Sequence, residues 1–280
     1  MPMLPGTSIE IIREEIPRTS IRHALFDFDG TISLIRQGWQ DVMAPMMVEV
    51  LLQTPRHESR SIIEQLVHET IDRTTGQQTI YQMIALADQV RERGGEALPP
   101  LTYKERYLAR LWEHIRQRVE GLKAGTIPRE RLLVRGAIEM LQLLQKRGVT
   151  CYLASGTDRD AVVAEAEALG VAHYFAGGIH GALDDWESYS KSKVIRDILA
   201  QHPEASQGLV TFGDGYVEIE NTIAAGGIAI AVATDEINGG QVNPWKRDRL
   251  VRAGAHIVVP DLSEGETLLD LLEHGAPTDA

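Results

Sequence analysis

Apolar residues in this chain come in short runs separated by polar, glycine-punctuated stretches. Runs at residues 23–28, 149–154, 209–212, 228–232 and 256–259 are four to six residues long and rich in Val, Ile, Leu and Phe. Such runs predict buried β-strands, and a weaker run at 172–176 predicts another. Between them the apolar spacing turns helical. Val134, Ala137, Ile138, Leu141 and Leu144 recur at helical intervals before Gly148. Residues 161–169 repeat the pattern up to Gly170, and residues 193–200 do so again. Strand–helix alternation predicts an α/β fold, a parallel sheet covered by helices on both faces. Ligand sites in such sheets lie beyond the carboxyl ends of the strands.

One region breaks the alternation. Residues 38–125 carry no strand pattern. Segments 42–52, 62–71, 80–90 and 103–122 all read as helices, punctuated by Gly94-Gly95 and Pro99-Pro100. Residues 124–128 read as a return linker. The expected organisation is a core of residues 1–33 and 130–280, interrupted by an all-helical module at 34–129, which is near the low end for a domain. There is no internal repeat and no low-complexity segment. A terminal helix is expected from Gly265, followed by a frayed end.

Composition narrows the partners. At 280 residues, 43% hydrophobic and 24% charged, the chain has the make-up of a soluble globular protein. Its net charge of −12 argues against nucleic acid or an anionic membrane surface as partner. An anionic ligand would need local cations or a metal to offset that field. The single cysteine, Cys151, lies in an apolar run, where an inert buried thiol is expected, and a reducing, cytoplasmic setting fits. Residues 1–13 lack the apolar stretch of a signal peptide, and the apolar run at 226–233 is too short to span a bilayer. The scattered histidines show no metal-ligand spacing. The sequence sets no oligomeric state.

Four strand ends carry polar signals. The first is Asp27-Phe28-Asp29-Gly30-Thr31. Asp-Gly alone reads as a turn, but that does not explain Asp27 inside the apolar run, where an unpaired charge is costly. Two carboxylates so close repel unless a cation lies between them or one holds a proton. The second is Ser155-Gly156-Thr157-Asp158. It reads as an anion site at a helix start, or simply as a helix N-cap. The third is Ser190-Lys191-Ser192-Lys193. A lysine at a helix start opposes the macrodipole, so it either is solvated or has another task such as holding a phosphoryl oxygen. The fourth is Gly213-Asp214-Gly215-Tyr216-Val217-Glu218, a strand-ending turn with a second acid, or a metal site with glycines that let a ligand approach closely.

In this order, the four motifs resemble those of the haloacid dehalogenase superfamily, over residues 21–33 and about 132–260. The resemblance implies a Rossmann-like core with an inserted helical, C1-type cap, and hydrolysis of a small-molecule phosphate monoester with Mg2+. By the same resemblance Asp27 is the nucleophile that forms an aspartyl-phosphate, and Asp29 is the general acid and base. Asp27, Asp29, Asp214 and Glu218 hold the metal, with Glu218 replacing a commoner Asp. Gly30, Thr31, Ser155, Gly156 and Lys191 hold phosphoryl oxygens, Lys191 being preferred to Lys193 because Val194-Ile195 follows it at the expected distance. The second Asp separates this chain from the dehalogenases, which lack it. The cap implies Arg36, Trp39, Gln40, Thr75, Gln77, Gln78 and Lys104 as substrate contacts, although Trp39 reads equally as core and Arg36 and Lys104 as surface. The implied partner is a small phosphorylated metabolite, such as a sugar phosphate or phosphoglycolate-like acid. Alternatives are a phosphomutase of the beta-phosphoglucomutase type, a phosphonate hydrolase using a cap lysine, and a non-enzymatic phospho-accepting signalling domain.

Overall fold

Fully apolar strands can be buried only between two layers of helices, and the structure shows that arrangement. It is a computed structural model and describes residues 3–13, 15–17, 20–183, 185–202 and 208–275. The strands are β1 (Glu10–Ile11), β2 (His23–Phe26), β3 (Thr150–Asp158), β4 (Ile179–Ala182), β5 (Leu209–Gly213), β6 (Ile228–Val232) and β7 (Ile257–Val259). They form one sheet in the order β1-β7-β6-β5-β2-β3-β4. All neighbours are parallel except β1, which pairs antiparallel with β7. Every residue of β2, β5 and β6 is buried.

The pleat sorts side chains between the two layers. Ala24 and Phe26 join Met140, Leu141 and Leu144 of α5 (Ala137–Lys146) on one face. Leu25 joins Val194, Ile195 and Ile198 of α7 (Lys191–Gln201) on the other. Further helices are α6 (Arg159–Ala168), α8 (Tyr216–Ala224), α9 (Pro244–Arg252) and α10 (Gly265–His274). β2 is central, with β3 on one side and β5 on the other. The chain runs from β3 and β4 on one flank to β5, β6 and β7 on the other, so the strand order reverses beside β2, where a crevice opens at the carboxyl ends. Phe26 stacks on Phe212 at 4.6 Å between ring centroids, one residue before Asp27 and two before Asp214.

Four helices follow β2: α1 (Trp39–Leu51), α2 (Arg60–Thr74), α3 (Thr79–Glu92) and α4 (Pro100–Lys123). They pack on one another, and no strand occurs in residues 38–125. In α4, Tyr103, Tyr107, Leu111, Ile115 and Val119 are buried at four-residue spacing, the stripe an amphipathic helix presents inward.

Several expectations need correction. Residues 172–176 form no strand: Ala172–Tyr174 is a single 3-10 turn, with Phe175 buried against Phe26. The edge strand is β4 instead, and its His and Gly residues hide it from an apolar-run criterion. Residues 155–158 do not open a helix: β3 continues through Asp158, and α6 begins at Arg159 with no side-chain cap bond. Neither Ser155 nor Thr157 is therefore an N-cap. The polar α9 and the two-residue β1 carried no apolar signal. The expected frayed end, residues 276–280, lies outside the described residues. Among the described residues, no helix is long and apolar enough to cross a membrane.

Phe212→Ala should lower unfolding free energy by about 3–5 kcal/mol through loss of buried ring area and the cavity left behind. Urea titration checks this. A loss below about 1 kcal/mol would mean that the stacked pair does not anchor the strand ends.

Candidate active site

β2 stops at Phe26, but the Asp27 amide still donates to the Phe212 carbonyl at 2.9 Å, which pins Asp27 beside β5. Beyond it the chain turns tightly, with the amides of Ile32 and Ser33 both donating to the Phe28 carbonyl. Gly30 sits at φ 77°, in the left-handed region, and a Cβ there would overlap Asp214 Oδ2. Glycine thus permits both the turn and the close approach of Asp214.

The end of β5 delivers the other acids. Asp214 follows the strand, and Glu218 lies in the first turn of α8, fully buried, accepting from the Gly215 amide at 2.6 Å. One carboxylate oxygen each from Asp27, Asp214 and Glu218 lie within 4.8 Å of one another. Lys191, at the start of α7, reaches between them. Its Nζ donates to Asp27 Oδ1 at 2.8 Å and to Glu218 Oε2 at 2.9 Å. Lys193 instead donates to the Ser188 carbonyl at the surface. Burial works against the Lys191 charge, but Asp27 and Glu218 outweigh it and hold the ammonium well above the ordinary lysine range. Burial also pushes the Asp27 carboxyl well up; Lys191 opposes this, and Glu218 and Asp214 add to it.

β3 contributes hydroxyls. Thr157 Oγ1 donates to Asp29 Oδ2 at 2.9 Å, and Ser155 Oγ lies 3.4 Å from the same oxygen while accepting from the Thr157 amide. Asp29 Oδ1 and Thr31 Oγ1 are buried without a hydrogen-bond partner. Burial raises the Asp29 carboxyl to about 6, against the pull of the Arg36 guanidinium.

Two cationic residues complete the surroundings. Lys246 of α9 donates to Asp214 Oδ2 at 2.7 Å and Glu236 Oε1 at 2.6 Å. Arg36 binds Glu165 through Nε and Nη2, the latter at 2.7 Å, and lies 3.9 Å from Asp29 Oδ1. Six carboxylates (Asp27, Asp29, Glu165, Asp214, Glu218, Glu236) thus surround three side-chain cations. Such an excess of acids over cations favours the binding of further positive charge.

The helical segment closes over these groups. Asp27, Asp29, Gly30, Ser155, Gly156, Lys191 and Asp214 line a cavity of about 90 Å³ together with Arg36, Trp39, Gln40, Thr75 and Gln77. The Gln77 carbonyl sits where a Cβ on Gly156 would be, so glycine at 156 lets the 75–78 loop descend. Trp39 both lines the cavity and packs against the core. Two expected substrate contacts lie elsewhere. Lys104 is buried against Asp158, and Gln78 donates to the carbonyls of Trp186 and Tyr189 at 3.1 and 2.8 Å; neither lines the cavity. Lys104 thereby ties α4 to the end of β3, and Gln78 ties the helical segment to the chain just ahead of α7.

The sequence reading passed over Lys246, Glu236, Glu165, Gln82 and Tyr107, and had Thr157 only as part of the second motif. Lys246 had a usable signal, since it too opposes the macrodipole near a helix start. Gln82 and Tyr107 had none, because their helical positions read simply as part of an inward face.

With this geometry in place, relatives can be considered. The family description "haloacid dehalogenase-like hydrolase" matches residues 21–226, and the chain belongs to that family of hydrolases. No curated protein matches it in sequence. Similar solved structures include a predicted phosphoglycolate phosphatase from Haemophilus somnus (14% identity, TM-score 0.57, covering 89% of this chain and 97% of that one). A predicted phosphatase from Clostridium acetobutylicum is similar at 16% identity and TM-score 0.57, covering 90% and 100%. A proposed beta-phosphoglucomutase from Bacteroides vulgatus is similar at 15% identity and TM-score 0.56, covering 93% and 92%. These likenesses concern the fold.

A carboxyl raised from 3.8 to about 6 stabilises the fold below its unfolded range and loses that contribution as pH climbs through about 6. In the presence of a chelator, wild-type protein should therefore lose stability relative to Asp29→Asn between about pH 4 and 7. Urea midpoints across that range test it, and a constant gap would contradict the raised value.

Proposed function

We propose that the protein hydrolyses a small-molecule phosphate monoester through an aspartyl-phosphate on Asp27, with Mg2+ as cofactor. The observation that carries this reading is the cluster of Asp27, Asp214 and Glu218 at adjoining strand ends, with Lys191 bridging Asp27 and Glu218 and with Asp29, its carboxyl raised by burial to about 6, beside it. The cluster offers only oxygen donors, the set a hard divalent cation takes. The excess of carboxylates over side-chain cations around the cluster fits such a cation as well. Asp27, Asp214 and Glu218 would hold it together with the Asp29 main-chain carbonyl. When bound, it would neutralise carboxylate and phosphoryl oxygen charge.

The chain's own groups then divide the work. A carboxylate oxygen of Asp27 attacks phosphorus as the bond to the leaving oxygen breaks. Asp29, poised near 6, gives that oxygen its proton. In the second step it takes a proton from the water that attacks phosphorus, which frees inorganic phosphate and restores Asp27. Lys191, Ser155 and the amides near Gly30 and Gly156 hold the phosphoryl oxygens, a positioning task that suits a loose transition state, while the fully buried Thr31 lies behind the cavity wall. Residues 34–129 act as a cap over a core of residues 1–33 and 130–280, excluding bulk water during the chemistry.

The phosphomutase reading draws support from the Bacteroides vulgatus neighbour. Release of inorganic phosphate without formation of an isomeric ester decides against it. The phosphonate hydrolase reading has little support, because Lys104 is buried against Asp158 and does not line the cavity. Turnover of any monoester decides against a phospho-accepting signalling domain.

A phosphate-release screen over many phosphorylated metabolites with Mg2+ tests the proposal, with Asp27→Asn as the inactive blank. Excess EDTA should abolish release, and activity that survives it would remove the metal from the scheme. Asp29→Ala should lower kcat by about 10²–10⁴-fold while KM changes only a few-fold. An unchanged kcat would remove Asp29 from its role.

A further inference from the structure

The cavity that holds Asp27, Asp29 and Lys191 is also lined by Gln40, Thr79, Gln82 and Tyr107 and by the indoles of Trp39 and Trp245. Gln82 on α3 and Tyr107 on α4 are only 4% and 3% exposed. Among the described residues, neither the Gln82 amide nor the Tyr107 hydroxyl has a hydrogen-bond partner, although neither is sealed off completely. With no protein partner in reach, the polar atoms of both groups depend on whatever fills the cavity, water or a ligand. Two such groups on one cavity wall point to a ligand that supplies their partners.

The charge around them limits what that ligand is. Every cation lining the cavity has an acidic partner: Lys191 has Asp27 and Glu218, Lys246 has Asp214 and Glu236, and Arg36 has Glu165. A carboxylate on the non-phosphate part of a substrate would find no unpaired positive charge and would face Asp29 and Glu236. An amide donates and accepts, and so does a phenol, which is the pairing that alcohol groups offer. Burial raises the Tyr107 phenol further, so it stays protonated and able to donate. The two indoles add apolar surface for a carbon skeleton.

We propose that Gln82 and Tyr107 read the leaving group, and that this group is an uncharged, hydroxyl-bearing carbon chain or ring. The substrate class is thus the phosphate ester of a small polyol or sugar, and not of a hydroxy acid. The proposal rests on the phosphate-ester reading of the site and deepens it.

The test compares kcat/KM for glycerol 3-phosphate, erythritol 4-phosphate and ribose 5-phosphate with that for phosphoglycolate and 3-phosphoglycerate, using p-nitrophenyl phosphate as the ester without alcohol groups. At least one neutral ester should exceed both acids by about tenfold or more, the size of one well-made hydrogen bond to a buried polar group. In Gln82→Leu and Tyr107→Phe, the preference for that ester over p-nitrophenyl phosphate should fall about tenfold. A preference ratio that stays within about twofold in both variants would make these residues merely structural and overturn the proposal. Calorimetric binding of the same esters to Asp27→Asn supplies a readout independent of turnover. If no ester is hydrolysed yet the neutral ones bind more tightly than the acids, the hydrolase reading fails and this one stands. If the acids bind or react better, this one fails whatever the chemistry.

Discussion

The buried ammonium of Lys191 holds this site together. Asp27 and Glu218 arrive from different strand-to-helix connections, and both are nearly or wholly buried. Neither could remain there as a carboxylate without a partner, because removing a charge from water costs several kcal/mol. Lys191 meets both at hydrogen-bond distance. Its place at the head of α7 follows from the packing of Val194, Ile195 and Ile198 under β2 and β3. The apolar layer thus sets where the cation stands, and the cation lets the acids converge. Lys246 repeats the arrangement on the other flank, joining Asp214 to Glu236.

An apolar cluster runs from the strands through Phe28, Ile32 and Ile35 into the four helices, and polar contacts join the helical segment to the core around the site. Arg249 donates to the Thr75 carbonyl, Gln77 to the Tyr216 hydroxyl, and Gln78 to two main-chain carbonyls, while Lys104 pairs with Asp158. Each of these bonds can be exchanged for bonds to water at a net cost of only about 1 kcal/mol. The four helices have apolar contacts of their own and do not depend on these bonds for cohesion.

Similar structures at 14–16% identity keep this architecture over about nine-tenths of the chain. A doubly covered sheet asks of most positions only that they be apolar and roughly the right size. The demands at strand ends are stricter. Gly30 must lack a Cβ because Asp214 stands beside it, and Gly156 must lack one because the 75–78 loop descends onto it.

Much of the framework was legible in the chain itself. The strands at 23–28, 149–154, 209–212, 228–232 and 256–259 are local apolar runs, and the helices between them are local periodicities. The acids at 27, 29, 214 and 218 stand out because a charge at the end of an apolar run is expensive. The edge strand β4 and helix α9 escaped because their residues pack only partly and leave little apolar signature. The places of Lys104 and Gln78 outside the cavity lining were not legible, because a polar side chain near a site can serve either a ligand or the protein itself, and sequence does not separate the two. Gln82 and Tyr107 looked like ordinary positions on helical inward faces. That their polar ends meet a cavity and find no partner depends on how residues distant in sequence come together. The sequence by itself therefore determined the layers and the acids at their edge, because burial and charge are written residue by residue. The tertiary structure decided which polar groups are satisfied and which still await a ligand, because satisfaction belongs to pairs of residues brought together by the fold.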